Sequence, residues 1–305
     1  MPELSVVVLS YRNEGTIAAA VESLLCQFEP VEVIVSHSGG GMTPTLLRQR
    51  FPSLRVLNVE TCRLPGAARN AGLKQARGSF IAFLAGDCQA SPGWVAGRLR
   101  HHRAGAAAVA SVIAPMERRL SCLASHLLQH SDRLLHVDAP PHFRFGVSYA
   151  RALLAHVGPF PEDLEFAEDV VVNRRVLSAG VNIVRAPEVV TLHSYPTSCR
   201  AMLADQFRRG RLRAGIAGWS LWRYELIGRA LASAFAAYWR ASRPGSPLSR
   251  PDLVRVIPPL VGGALAKALG AALGSPPSPA AEAERAFHRW IGALARPAHT
   301  RTDVI

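Results

Sequence analysis

The amino-acid sequence predicts an α/β fold: a mostly parallel sheet flanked by helices, followed by a C-terminal helical extension. Two observations predict the sheet. Short apolar runs at residues 4–10, 31–36 and 79–84 alternate with helical segments, an order typical of strands buried in a parallel sheet. Polar or glycine-rich turns follow these runs, at the edge of an open sheet where ligands usually bind.

The first strand–helix–strand unit follows this pattern most clearly. Residues 4–10 are a β-branched run, residues 16–26 carry apolar side chains at helical spacing, and residues 31–36 form a second apolar run. Such units connect with right-handed crossovers. A helix at 43–51 and a strand at 54–59 continue the alternation.

Residues 64–88 are the stretch around which the predicted fold is organised. They are predicted to form a loop, a helix at 67–76, a stop at Gly78, a buried strand and an acidic turn that ends at Asp87. Backbone N–H groups at a helix start favour anions, so Arg69 could bind a diphosphate or remain a solvated charge. Asp87 could bind a cation or simply form the turn.

This stretch resembles the nucleotide-sugar half of the family 2 glycosyltransferases, which are inverting enzymes of the GT-A (Rossmann-like) fold. The resemblance rests on Ala68-Arg69-Asn70-x-Gly72, Gly78, the apolar strand and the turn that ends at Asp87-Cys88. That turn is usually Asp-x-Asp in the family and holds a divalent metal against the sugar diphosphate. Here Ala85 replaces the first carboxylate, so the motif is degenerate.

The resemblance also implies a donor pocket. After the second strand the family usually carries an acidic turn, whereas this chain has Ser36-His37-Ser38 followed by glycines. His37 either donates to or stacks on the base, or is a surface-loop histidine; Asn13 and Glu14 either bind the nucleotide or cap the next helix. The implied donor residues are Ser10, Tyr11, Asn13, Glu14, His37, Arg69, Asn70, Gly86 and Asp87.

The second half of the resemblance covers the acceptor. Gly146 and Arg151 resemble a family segment under the donor sugar, and Glu168-Asp169 resemble the family's acidic pair at a helix start. An attacking hydroxyl must lose its proton, so a nearby carboxylate can serve as general base. The resemblance assigns this role to Asp169 and an orienting role to Glu168; alternatively, both acids only complement the helix dipole.

A divalent cation, Mg²⁺ or Mn²⁺, is the expected cofactor. Because Ala85 removes one ligand, His193 at the end of an apolar run is the candidate partner of Asp87, unless it is a plain edge-strand histidine. A basic helix at 200–213 supplies Arg208, Arg209 and Arg211, either for the diphosphate or as a solvated face.

The resemblance implies a nucleotide-sugar half (1–115) and an acceptor half of the same domain (116–220), and the charge pattern marks a helical extension (221–305). From residue 200 onward there are sixteen Arg and Lys against six Asp and Glu, which accounts for +10 of the net charge of +13. This basic, Trp-bearing apolar segment suits either an anionic membrane surface or packing on the catalytic domain. Proline and charge make 253–273 a poor membrane span, and 280–294 is predicted as a final helix.

The remaining composition bounds location and function. The five dispersed cysteines and the absence of a visible signal peptide predict reduced thiols in the cytoplasm, with a peripheral membrane location as an option. The family resemblance implies hexosyl transfer from a nucleotide-diphosphate sugar to a hydroxyl on a glycan, lipid-linked or small acceptor. A degenerate binding or scaffold protein is the alternative. Nucleic-acid binding is not predicted, because charge alone suggests it and no motif supports it.

Overall fold

The structure is a computed structural model that describes residues 2–134, 136, 145–164, 167–217 and 223–273. Within these ranges one sheet of eight strands is surrounded by ten α-helices. The strands are β1 Leu4–Ser10, β2 Val31–Ser38, β3 Arg55–Val59, β4 Phe80–Ala85, β5 Cys88–Ala90, β6 Ala108–Pro115, β7 Val147–Ala150 and β8 Ile183–His193. The helices are α1 Ile17–Leu25, α2 Thr43–Arg50, α3 Pro65–Gln75, α4 Trp94–Arg103, α5 Leu120–His130, α6 Arg151–Val157, α7 Glu168–Ser178, α8 Cys199–Ala217, α9 Arg223–Ala241 and α10 Arg250–Ala272.

The strand order is β3-β2-β1-β4-β7-β6-β8-β5. Strands β3, β2, β1 and β4 are mutually parallel, as are β6 and β8, whereas β7 and β5 run antiparallel to their neighbours. The four parallel strands therefore end at one edge, and the turns after β1, β2 and β4 meet there.

Alternating side chains of the central strands build one apolar core on each face of the sheet. On β1, Val6 and Val8 pack with α1, α2 and α4, whereas Val7 points to the other face, where α3, α6 and α7 lie. This alternation follows from the two-residue period of a strand. Both faces being buried explains why β1 is apolar without interruption.

The C-terminal helices form a third apolar cluster with α5 and α8. Helices α8 and α10 approach closely through glycines: a Cβ on Gly210 would lie 2.0 Å from the carbonyl oxygen of Lys267, and one on Gly270 would lie 2.0 Å from that of Phe207. Pro258 and Pro259 lie inside α10. Through the shared apolar cluster, the described part of the extension packs on α5 and α8.

The predicted fold class is confirmed, with several local differences. The apolar spacing of residues 120–137 predicts one helix. The observed helix α5 ends at His130 and gives way to a 3₁₀ turn at Ser131–Arg133. Two apolar runs at 181–184 and 189–193 predict two separate strands. They form one strand, β8, whose pairing with β6 shifts register between Ser111 and Val112 and so accommodates Pro187. Strands β5 and β7 and helix α6 were not predicted.

The domain boundaries at residues 115 and 220 stay predictions. One sheet contains strands from both predicted halves, because β7 lies between β4 and β6. The helix predicted at 280–294 lies outside the described residues.

Candidate functional site

A polar cleft of about 820 Å³ opens at the carboxyl ends of β1 and β4. Its walls come from the loop after β1, the end of β2, the segment leading into α3, the turn after β4 and one arginine of α8. The predicted donor residues Ser10, Tyr11, Asn13, Glu14, Gly86 and Asp87 line this cleft, and so does Arg208. The first half of the chain thus converges on one site, as its βα order predicted.

His37 lies behind this wall and not in it. Its side chain is almost fully buried. Its Nδ1 lies 2.9 Å from the Ser10 hydroxyl, and its Nε2 lies 2.8 Å from the carbonyl oxygen of Gly40 and must donate to it. The expectation that His37 touches the base is therefore wrong, because both ring nitrogens are occupied in fixing Ser10 and the glycine turn.

Gly86 and Asn13 make the tightest contact of the wall. A Cβ on Gly86 would lie 1.7 Å from the Asn13 amide nitrogen, and the Gly86 N–H donates to the Leu9 carbonyl at 2.8 Å. Asn13 Oδ1 also lies 2.8 Å from Ser10 Oγ. Only glycine fits beside Asn13 here, so the turn after β4 and the loop after β1 are locked together.

Asp87, in the cleft wall, lies close to His193, which is outside the cleft lining. Strand β5 pairs with β8 in a register that places Cys88 opposite His193, and Asp87, Cys88 and His193 each offer a ligand atom within 4.8 Å of the others. His193 Nδ1 lies 2.6 Å from the Ser194 carbonyl oxygen. Burial lowers the pKa of His193, partly offset by the Asp87 carboxylate.

His193 packs against a buried cluster of aromatic rings. The rings of His193 and Tyr195 stack with centroids 4.4 Å apart, and the Tyr195 hydroxyl lies 3.0 Å from His126 Nδ1 and 2.9 Å from His130 Nδ1. Burial lowers the pKa of His126 to about 3, so this imidazole is neutral at neutral pH. The histidines of α5 thus act in packing and hydrogen bonding.

Arg69 and Glu168 form a buried ion pair beside the cleft. Arg69 Nε donates to Glu168 Oε1 at 2.9 Å, and both side chains are more than nine-tenths buried. Burial would lower the pKa of Arg69, but the carboxylates of Glu168 and Asp169 outweigh it and raise the pKa. The expected contact between Arg69 and a diphosphate is contradicted, because the guanidinium is buried against Glu168.

Asn70 continues this buried connection. Its amide donates to the Phe160 carbonyl at 2.9 Å and to Glu162 Oε1 at 2.8 Å, while its oxygen accepts from the Phe160 N–H at 3.0 Å. The expected donor contact of Asn70 is therefore also contradicted. Together, Arg69, Glu168, Asn70, Phe160 and Glu162 form what we call the buried seam, which ties α3 to α7 and to the turn before it.

Asp169 follows Glu168 in the first turn of α7 and is partly exposed. Ala167 before it adopts the left-handed conformation at φ +70°, which turns the chain sharply into the helix. Asp169 Oδ1 accepts from the Val170 N–H at 2.8 Å. Burial, and then the nearby Asp169 charge, raise the pKa of Tyr149. The seam sets the position of Asp169, because Glu168 is anchored by Arg69.

Arg151 lies at the opposite edge of the sheet from the cleft. Since β7 is antiparallel to β4, Ala150 pairs with Phe80 at the amino end of β4. Arg151 accordingly donates to the carbonyl oxygens of Ala76 and Gly78. Its predicted acceptor-side role is contradicted by this geometry. Gly146 lies at the other end of β7, where a Cβ would meet Ser111 Oγ at 2.5 Å.

The three arginines of α8 differ in placement. Arg208 lines the cleft and is bonded to Asp205 at 3.0 Å with most of its side chain exposed. Arg209 is more buried and bonds Asp205 at 2.6 Å. Arg211 is exposed and lies outside the cleft lining. Of these three arginines, Arg208 lines the cleft, and Arg209 and Arg211 do not.

Comparison with known proteins agrees with this architecture. The sequence model of glycosyl transferase family 2 matches residues 5–133. The chain is thus similar to glycosyl transferase family 2 over this segment. The segment carries β1 to β6 and α5, and hence nearly the whole wall of the cleft.

Two curated relatives share part of the domain. The succinoglycan biosynthesis protein ExoO of Rhizobium meliloti is 38% identical over 96 residues, which cover 30% of this chain and 27% of that protein. An Escherichia coli UDP-Glc:α-D-GlcNAc-diphosphoundecaprenol β-1,3-glucosyltransferase, WfaP, is 30% identical over 90 residues, which cover 28% and 36%. The matches thus span about a third of these relatives.

A solved structure shows the same fold over most of the chain. The mannosyltransferase PcManGT of Pyrobaculum calidifontis, in complex with GDP-Man and Mn²⁺, superposes with a TM-score of 0.55 at 21% identity, covering 97% of this chain and 81% of that one. The chain therefore has the GT-A fold.

Sequence reasoning missed several residues of the site. Cys62, Arg63, Leu64 and Pro65 form part of the cleft wall; their position between β3 and α3 was the available signal. Cys88 and Tyr195 were missed because a strand as short as β5 has no detectable periodicity. Cys88 follows Asp87 directly in the chain, and the pairing of β5 with β8 brings Tyr195 near both residues.

Proposed function

We propose that this chain transfers a sugar from a nucleotide diphosphate to a hydroxyl acceptor. The observation that carries the proposal is the polar cleft at the carboxyl ends of β1 and β4, within the segment similar to family 2. Its volume of about 820 Å³ lies in the range of pockets that hold small ligands. The complex of the mannosyltransferase with GDP-Man, and the UDP-Glc in the name of WfaP, support a nucleotide-sugar donor.

Different residues of the cleft wall are proposed to contact different parts of the nucleotide-sugar donor. Asn13 and Glu14 offer hydrogen-bonding groups for the nucleoside, and Arg208 offers a guanidinium for the diphosphate. The chemistry of Asp87 and His193, an oxygen and an imidazole nitrogen, fits a divalent cation such as Mn²⁺. A cation bound there would neutralise charge on the departing diphosphate.

The proposed transfer is a single displacement with inversion. The acceptor oxygen forms a bond to the anomeric carbon as the bond from that carbon to the diphosphate oxygen breaks. The hydroxyl proton passes to Asp169, which acts as general base. Glu168 is a positioning residue, because its ion pair with Arg69 holds the first turn of α7 in place.

An Asp169→Asn variant tests this assignment. The amide cannot take the proton, so turnover is expected to fall by about 10²–10⁴-fold, while donor affinity stays unchanged. GDP-mannose and UDP-glucose are the first donors, with calorimetry for binding and NMR of the product for anomeric configuration. Asp163→Asn, an exposed aspartate ahead of α7, is the matched control.

Two outcomes contradict the proposal at different levels. Wild-type turnover with retained configuration, or full turnover by Asp169→Asn, would remove the inverting mechanism with this base. Donor binding without transfer to any hydroxyl acceptor would favour the alternative of a binding protein built on a glycosyltransferase fold.

We further propose that the chain works at an anionic membrane surface on a lipid-linked acceptor. Helix α9 exposes an apolar stripe at four-residue spacing, Ile227, Leu231, Phe235 and Trp239, flanked by exposed arginines such as Arg229. Such a face suits insertion into an interface. Among the described residues one helix, α10, is long and apolar enough to span a membrane, and a third of that apolar window is buried in protein, which favours the peripheral arrangement.

Vesicle sedimentation tests this location. The wild type is expected to bind phosphatidylglycerol vesicles more tightly than phosphatidylcholine vesicles, and Phe235→Ser with Trp239→Ser should abolish binding. Phe28→Ser is the control, because Phe28 is fully exposed on the α1–β2 turn. Equal binding by both variants would place the lipid contact elsewhere.

A further inference from the structure

Cys88 lies in the candidate cation site but was not among its expected ligands. It is the first residue of β5 and pairs with His193 on β8. Cross-strand partners place their side chains on the same face of a sheet. The Cys88 thiol is fully buried, and its Sγ lies 3.6 Å from Asp87 Oδ1.

His193 is held in a form that can ligate. A carbonyl oxygen only accepts, so the contact of 2.6 Å between Nδ1 and the Ser194 carbonyl requires the proton on Nδ1. The lone pair is then on Nε2, for which the described residues supply no hydrogen bond. Metal-ligating histidines characteristically donate their other ring nitrogen to such a carbonyl. The side chain is also nine-tenths buried.

We propose that Cys88 is the third protein ligand of this site, and that the site therefore prefers Zn²⁺ or Co²⁺ to Mg²⁺. This inference rests on the proposed function only in placing a cation at Asp87 and His193. Thiolate and imidazole ligands suit borderline metals, whereas Mg²⁺ takes oxygens. Binding replaces the S–H bond by a metal–sulfur bond and releases the proton to solvent.

The geometry fits this ligand set. Two ligand atoms on one tetrahedral ion lie roughly 3.5 Å apart, given bonds of about 2.0–2.3 Å. The three ligand atoms are within 4.8 Å of one another, so displacements on the order of 1 Å close the site. Three protein ligands leave the fourth position open, as in catalytic zinc sites. Asp87 is also part of the cleft wall, so that position can serve a diphosphate oxygen.

Cobalt absorption tests the assignment directly. Metal-free full-length protein is titrated with Co²⁺, and a thiolate-to-cobalt charge-transfer band is expected. The band should be lost in Cys88→Ser and Cys88→Ala and retained in Cys26→Ser and Cys62→Ser, which change exposed cysteines. Zn²⁺ affinity should fall at least about 10–100-fold in the Cys88 variants, the range seen even for outer-shell partners. Circular dichroism checks that the variants fold.

The outcomes separate this inference from the proposed function. No band in the wild type, a band that survives in both Cys88 variants, or tighter binding of Mg²⁺ than of Zn²⁺ would overturn the role of Cys88, even if sugar transfer is observed. A band that depends on Cys88, in a protein that neither binds nor transfers nucleotide sugars, would support the metal site and contradict the function.

Discussion

The cleft wall and the buried seam meet at α3, but their polar groups are used in different ways. In the wall, Asn13, Glu14 and Asp87 border open volume. In the seam, Arg69 and Asn70 direct their hydrogen bonds to Glu168, Phe160 and Glu162. The family resemblance includes Asn13, Glu14 and Asp87 of the wall and Arg69, Asn70 and Glu168 of the seam. A shared motif thus contains both groups that can meet a ligand and groups that hold the frame, and only burial separates them.

Breaking the seam should have the largest effect on stability. Arg69→Met leaves the Glu168 carboxylate buried without its partner, which is expected to cost about 3–5 kcal/mol in the free energy of unfolding. Arg50→Met is the matched control, because its ion pair with Glu22 at 2.9 Å is exposed and such pairs contribute about 0–1 kcal/mol. Denaturant unfolding measures both. Equal losses would mean that burial of the seam is not what matters.

A second variant makes this comparison sharper. Arg69→Met combined with Glu168→Leu removes both charges, so much of the lost stability should return. The Arg69 guanidinium also packs against Phe83 and Phe160, whose ring centroids lie 5.0 and 5.4 Å from it. If the double variant is no more stable than Arg69→Met, the loss of stability comes from this packing and not from the unpaired Glu168 carboxylate.

A buried histidine outside both regions extends the comparison to pH. Burial lowers the pKa of His102 to about 4, and its ring nitrogens contact the Ala106 carbonyl and Ser148 Oγ. The unfolded chain therefore takes up a proton at higher pH than the folded chain. This contribution to stability is complete above about pH 6.5 and is lost as the pH falls toward 4.

The measurement is the free energy of unfolding at pH 7 and at pH 4.5. Wild type should lose about 2–3 kcal/mol more than His102→Gln over this interval. His156→Gln, on an exposed position of α6, should behave as wild type. An unchanged pH dependence in His102→Gln would show that other groups control acid unfolding.

Changing the wall should affect binding and leave stability intact. Arg208→Gln is expected to weaken binding of GDP-mannose or UDP-glucose by roughly 10–100-fold, the value of one or two hydrogen bonds to a charged group. Its unfolding should not change, because the side chain is mostly exposed. Arg211→Gln is the control for loss of charge alone. Equal weakening by both variants would mean that net charge, and not contact, attracts the donor.

Much of the fold could be predicted from the local hydrophobic pattern of the sequence, whereas the rest depends on which strands pair with each other. The runs that became β1, β2 and β4 are apolar because both faces of the sheet are covered there, and this is visible in the sequence. Strand β5 and the antiparallel β7 are too short to show a period. The wall could be predicted because its residues directly follow strands. The burial of Arg69 and Asn70 could not, because their partners Glu168 and Phe160 lie far along the chain. The burial of His37 could not, because it depends on the pairing of β2 with β1, which places Ser10 beside it.

The glycine contacts between α8 and α10 have a mechanical consequence. With Gly210 and Gly270 bringing the two backbones into direct touch, neither helix can slide along the other without lifting off it. We therefore expect α8 and α10 to move as one rigid body, which includes Arg208 on α8 and the exposed Leu265 and Leu269 on α10. A partner that binds the exposed face of α10 would therefore also fix the position of the Arg208 guanidinium in the cleft wall.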